Sequence, residues 1–235
     1  MFKSLKKLGL AGASAIAYAF LLSAAPPGEK RIEVERQSRT DAVVVTKVVL
    51  GSAEVESGLY VSSGRVQPVT PVEASDDWLR NVTIHVYNQT DKTIAFGQVT
   101  LAFPETGDGS YQSPLRVYNI TLGRIPSSVA FSGRTGKAIA QNPSSGAISF
   151  APHQTLLIDV GAYIDRIAAQ VDNMPIEKLT NCIVRRGTFY FDDGMKWDPS
   201  GYWTPDPAKP GTFNHMGRGY FPGDKLPVWP PGYGK

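Results

Sequence analysis

The chain has 235 residues, 42% of them hydrophobic, with 23 Gly, 18 Pro and a single cysteine, Cys182. This length and apolar content suit one all-β domain with extensions, or two small domains, and one cysteine excludes both an intrachain disulfide and a cysteine-based zinc site. The net charge of +3 is set by residues 1–25, which hold three Lys and no acid; the remaining 21 basic residues are balanced by 21 acidic ones, so no basic patch points to a nucleic-acid partner.

Lys3, Lys6 and Lys7 precede an uncharged run from Leu8 to Ala25, which ends in Ser23-Ala24-Ala25-Pro26-Pro27. This reads as an export signal. Ser23 and Ala25 satisfy the small-residue rule for a cut after Ala25, but Pro26 then follows the cut and hinders it. If the segment stays uncleaved, residues 8–25 are just long enough to anchor the chain in a bilayer. The expected location is therefore periplasmic, cell-envelope or secreted, with membrane contact only through the N-terminal segment. No cysteine follows the apolar run, which excludes a lipoprotein anchor.

Pro26 to Asp41 is polar and charged and reads as a linker. Ala42 to Leu50 (AVVVTKVVL) is β-branched and reads as a strand ended by Gly51, and Leu59 to Val66 as another. In Leu79 to Phe103, Val82, Ile84 and Val86 alternate with Thr83, His85 and Tyr87, the period of a half-buried strand. Asn88 to Asp91 has turn chemistry, predicting a hairpin whose second arm carries Ile94, Phe96, Val99, Leu101 and Phe103, with a bulge at Gly97.

Leu115 to Leu122 reads as a strand, Gly123 to Gly146 as a long excursion, and Ala147–Phe150 and Thr155–Val160 as short strands. Ala162 to Asp172 is the one convincing helix, with Ile164, Ile167, Ala168 and Val171 on one face, Asp159 or Gly161 as its cap and Pro175 limiting its end. Cys182 to Phe191 returns to strand, placing Phe189 and Phe191 on one face and Tyr190 on the other. From Pro199 onward Gly and Pro dominate and periodicity is lost, which predicts an irregular tail.

Asp192, Asp193, Asp198 and Asp206 form an acidic cluster that suggests hard-cation or calcium binding. Their spacing does not match an EF-hand, and Asp193-Gly194 is a turn dipeptide that explains the same residues. Asp192 and Asp193, adjacent on a strand, point to opposite faces and make a poor pair for glycoside hydrolysis. His85, His153 and His215 share no metal-binding spacing. Ser63-Gly64 and Ser132-Gly133 lack a nucleophile-elbow frame, and GRTGK at 133–137 lacks the glycine spacing and following Ser/Thr of a phosphate loop. Cys182 reads as a small buried strand residue, against the alternative of pairing between chains.

Eleven of the chain's 24 aromatic residues lie between Phe189 and Tyr233, and this makes the region the leading candidate for a binding surface. Such rings either pin the tail to the domain or stack on sugars and anchor partners. Trp197 and the Phe189/Phe191 face are assigned to the core, and Tyr202, Trp203, Tyr220 and Trp229 to binding. Asn-x-Thr sequons stand at Asn81, Asn88 and Asn119.

NVTIHVYNQTDKTIAFGQVTLAFPE, ISFAPHQTLLIDV and FYFDDGMKW together resemble uncharacterised exported proteins of soil bacteria of the acidobacterial kind, over about residues 79–206. The resemblance implies an Ig-like sandwich and an envelope location, and it carries over no catalytic residue.

The sequence therefore predicts a mainly β, Ig-like antiparallel β-sandwich with one accessory helix. Residues 1–25 form the signal or anchor, 26–41 the linker, 42–198 the sandwich and 199–235 the irregular tail. The expected function is a non-catalytic binding or structural module at the cell envelope, with no cofactor and with an envelope protein or glycan as partner. The alternative is a carbohydrate-binding or carbohydrate-cleaving protein using the C-terminal aromatics and Asp192, Asp193 or Asp198.

Overall fold

The computed structural model describes residues 28–55, 71–107, 115–132, 137–138, 146–172 and 174–217. Two β-sheets meet across one apolar core. The smaller sheet has the order β3-β2-β5-β8, from Ala53–Val55, Val43–Leu50, Val82–Asn88 and Thr155–Asp159. The larger has β9 (Asn181–Phe191) at its centre. One edge of β9 pairs with β6 (Ile94–Phe103), which pairs in turn with β7 (Arg116–Gly123). β9 also pairs with β1 (Gly28–Val34) and with β10 (Lys196–Asp198); β4 (Val72–Ala74) follows β1, and β11 (Gly201–Pro205) and β12 (Phe213–Gly217) follow β10. Among the described residues, no helix is long and apolar enough to cross a membrane.

The alternation read in β5 holds as far as Val86: Val82, Ile84 and Val86 are buried, with Ile84 between Val48 and Ile158, but Tyr87, read on the other face, is buried as well. β2 keeps its inward face by slipping one residue at Thr46, so Val43 and Val45 precede the slip on the core side and Val48 and Leu50 follow it. The bulge expected at Gly97 lies elsewhere. The extra residue in β6 is Ala95, so Phe96 faces away from the core, and the second slip is in β9 around Gly187 and Thr188. Gly97 serves packing instead: a Cβ there would lie 2.6 Å from the Phe189 ring.

The Asn88–Asp91 turn exists, but its arms do not pair. β5 lies in the smaller sheet and β6 in the larger, so the turn is a corner between sheets rather than a hairpin. Its polar groups are used internally. The fully buried Asn88 side chain donates to the carbonyls of Lys92 (2.8 Å), Phe150 (3.2 Å) and Ala151 (3.1 Å) and accepts from Thr90. A glycan on Asn88 would require this corner to open.

Residues 26–41, read as a linker, contain a strand. In β1, Gly28–Lys30 pair antiparallel with β4, and Arg31–Val34 run parallel to β9, the one parallel pairing among the described strands. Ile32 is in the core, and the buried Lys30 ammonium reaches the Leu179 carbonyl and Asp76, each at 3.4 Å. The following segment is tied down by Gln37, whose side chain brackets both backbone groups of Val45 at 2.6 and 2.9 Å.

The helix is shorter than read: a 3-10 turn over Val160–Tyr163 runs into α1, Ile164–Gln170. The Asp159 side chain caps it by accepting from the Gly161 N–H at 2.9 Å. Ile164, Ile167 and Val171 are buried and Ala168 is exposed. Arg116 pairs with Asp172 at 3.4 Å and Tyr118 meets Tyr163, which ties this segment to β7. The Gly123–Gly146 excursion is anchored where it is described, with Val129 and Ala130 buried. The Leu59–Val66 strand lies outside the described residues.

Glu105 joins the end of β6 to the start of β9. It accepts from Thr180 N–H (3.0 Å), Thr180 Oγ1 (2.6 Å) and Asn181 Nδ2 (2.5 Å). Burial pushes its carboxyl upward, but these hydrogen bonds outweigh it and hold the group below its ordinary value. A depressed carboxyl stabilises the fold above the unfolded value of about 4.3 and loses that contribution as pH falls through the lower, folded value. Glu105→Gln is therefore expected to lower the urea midpoint at pH 7, and the gap from wild type should close by about pH 3. Parallel urea titrations at both pH values check this; a gap that persists at low pH contradicts it.

Candidate functional site: the outer row of the large sheet

The turn chemistry of two short loops sets the geometry. Asp192–Met195 joins β9 to β10: Gly194 adopts φ 86°, its N–H bonds the Phe191 carbonyl at 3.0 Å, and Asp193 accepts from Met195 N–H at 3.1 Å. Pro199-Ser200 joins β10 to β11, where the Asp198 side chain accepts from Ser200 N–H at 2.9 Å. These turns put Lys196 opposite Tyr190 on one side and Trp203 on the other. Trp203 is in turn opposite His215, and Tyr190 opposite Phe96. The result is one row across five strands on the outer face: Phe96, Tyr190, Lys196, Trp203, His215. The neighbouring row, Gly97, Phe189, Trp197 and Tyr202, faces the core.

The chain after Pro199, read as irregular, is thus regular through Gly217, and its first turn is a tight hairpin. Tyr202, assigned to binding, has 0% exposure and stacks on Phe191 with an interplanar angle of 11°. It is a core residue, and burial pushes its phenol upward, with a further push from Asp41. Trp197, Phe189 and Phe191 are in the core as expected, and so is Cys182, whose thiol is pushed well up by burial and, secondarily, by Glu105. Tyr220 and Trp229 lie outside the described residues.

Trp203 keeps its place on the outer face, half-buried. Lys196 Nζ stands 4.8 Å from its ring centre on the β10 side, and the His215 ring is 4.3 Å away on the β12 side. The same ammonium stands 4.5 Å from the Phe213 ring, and Phe213 meets Tyr190 edge-on at 6.0 Å, as Tyr190 meets Phe96 at 5.8 Å. Contacts of this kind are worth about 0.5–2 kcal/mol each. Burial pushes the Lys196 ammonium below its usual range, and Asp198 pulls it back. Burial pushes the Tyr190 phenol up, and Asp198 adds to that. The Trp203 Nε1–H is buried with no hydrogen-bond partner among the described residues.

The acids do not converge. Asp192 and Asp193 are exposed turn residues, Asp193 pairs with Lys92, and Asp198 also accepts from the Ser200 hydroxyl. Asp206 accepts from Ala208 N–H within the β11–β12 loop. Among the described residues, no three His, Cys, Asp or Glu side chains stand together in a metal-holding group. His153 pairs with Asp91 at 2.7 Å, His215 meets the Ser200 carbonyl at 3.1 Å, and burial with nearby Lys47 pushes His85 below its usual value. Lys196, Phe213 and Phe96 were not singled out from the sequence. The signal available was parity: residues two apart in FYF, KWD and YWT share a face once the two turns fix the register.

No known protein family, no curated protein and no solved structure matches the chain.

Proposed function

We propose that the protein is an exported, non-catalytic binding and structural module of the cell envelope, and that the outer row is its contact surface. The observation that carries this reading is the row itself: four rings and a cation set side by side on paired strands, on the face away from the core. A rigid sheet presenting half-buried aromatic residues is a common form of recognition surface. The uncharged run after Lys3, Lys6 and Lys7 supports the export half of the proposal. A carbohydrate-cleaving role draws no support from Asp192, Asp193 and Asp198: Asp193 and Asp198 bond the backbone of their own turns, Asp193 also pairs with Lys92, and Asp192 is an exposed turn residue.

The test is a pull-down on peptidoglycan and total envelope glycan, with wild type beside Trp203→Ala. Retention of wild type and loss of most of it in the variant is expected. Equal retention, or none by either protein, contradicts the proposal.

A further inference from the structure

The outer row contains two donors with no acceptor among the described residues. Lys196 Nζ has no hydrogen-bond or salt-bridge partner among the described residues; its neighbours are the Trp203 and Phe213 rings. The Trp203 Nε1–H, on the same indole, also has no partner among the described residues. A half-buried ammonium normally finds an acceptor, because its three N–H groups lose water on burial. The nearest acid on this face, Asp198, is engaged by the Ser200 N–H and hydroxyl and acts on Lys196 only at a distance.

The same geometry argues against a sugar laid flat on Trp203. Lys196 Nζ lies over the indole ring from β10, and the tilted His215 ring crowds it from β12 at 4.3 Å. What the row offers a ligand is a cation held over two aromatic rings. Along β6, β9, β10 and β11 the backbone groups are occupied in strand pairing on both sides, so a peptide would find a ladder to join only at the outer edge of β12, beyond His215 and away from Lys196. A ring-shaped, C–H-rich ligand bearing one negative group fits both features.

We infer that the row is a site for a carboxylate-bearing saccharide, with Lys196 receiving the carboxylate and Tyr190, Phe213 and the Trp203 edge receiving the sugar. This rests on the outer row being the contact surface and adds its ligand class. Lys196 supplies the charge and Trp203 holds it in place from one side.

The experiment is titration of the full chain, followed by calorimetry, with an oligogalacturonate, a neutral oligoglucan of equal length, sodium acetate and an oligoglutamate peptide. Wild type is expected to bind the oligogalacturonate with an affinity that falls as salt rises, and at least tenfold more tightly than the other three. Lys196→Met should weaken it at least tenfold, while Lys196→Arg, which keeps the charge, should retain most of it. Thermal unfolding of each variant confirms that it is folded. Equal binding of the neutral glucan, equal binding of acetate or the peptide, no binding by wild type, or full binding by a folded Lys196→Met overturns the inference. Retention of wild type on envelope material that oligogalacturonate fails to compete away would overturn the ligand class and leave the contact surface standing.

Discussion

Replacing Trp197 with Ala is expected to destabilise the protein by about 3–5 kcal/mol, the cost of removing a large ring from a closed core. Trp197 is 1% exposed and stands in the inner row between Phe189 and Tyr202. Its ring meets Phe189 at 6.1 Å, and the Arg186 guanidinium lies 5.7 Å from its centre. No neighbour can move in to fill the space without breaking strand pairing on both sides. A domain of this size has a total stability of about 5–15 kcal/mol, so the loss is a large fraction of the whole. Urea unfolding of Trp197→Ala beside Trp203→Ala measures it, and the outer-row variant should lose no more than about 1–2 kcal/mol. Equal losses would mean that the two rows are not on opposite faces.

Arg186→Ala is expected to cost a similar amount, about 3–5 kcal/mol, for an electrostatic reason. Arg186 is 4% exposed and pairs with Asp41 at the junction of β1 and β2. Its guanidinium also donates to the Val43 carbonyl at 3.3 Å and the Arg36 carbonyl at 2.7 Å. Truncation leaves the Asp41 carboxylate without this cation and removes the guanidinium's bonds to two carbonyls, and both penalties fall on the folded state. Asp41→Asn should cost less, since Asn still accepts from Ser38 N–H, which bonds Asp41 at 2.6 Å. The double variant should be less damaged than the sum of the two singles. Strict additivity would show that the pair is not coupled. Arg186 and Trp197 touch, so their variants are not expected to add either.

Much of the sandwich is legible as alternation. β5 from Val82 to Val86, and β9 on either side of its slip at Gly187 and Thr188, carry their inward and outward residues at period two, because one face of each is buried. β1 is hidden by its charges. KRIEVE offers only Ile32 and Val34 as apolar signals, and a buried lysine satisfied by a carbonyl has no sequence signature. The corner at Asn88 has the composition of a hairpin turn. What separates the two outcomes is Asn88 bonding to Phe150 and Ala151, a contact more than 60 residues away in sequence. β11 and β12 are masked by Pro and Gly at their own ends and in the loops around them.

The candidate site is half legible for a related reason. Tyr202 and Trp203 are adjacent on one strand, so one of them had to face inward. Parity counted from Phe189 through the two turns to Trp197 would have assigned Tyr202 to the core and Trp203 to the surface. Composition alone ranks both as aromatic binding candidates. Lys196 escapes notice because a single lysine beside a tryptophan is unremarkable in sequence; the second ring, Phe213, arrives from β12.

The central claim is that the outer row, and not the acidic turns, is the working surface. The most direct measurement is retention on isolated cell-envelope glycan by Trp203→Ala and by a triple Asp192→Asn, Asp193→Asn, Asp198→Asn variant, each confirmed folded by its unfolding curve. The expected result is loss of retention in Trp203→Ala and near wild-type retention in the triple variant. Retention lost with the carboxylates and kept without Trp203 would contradict it.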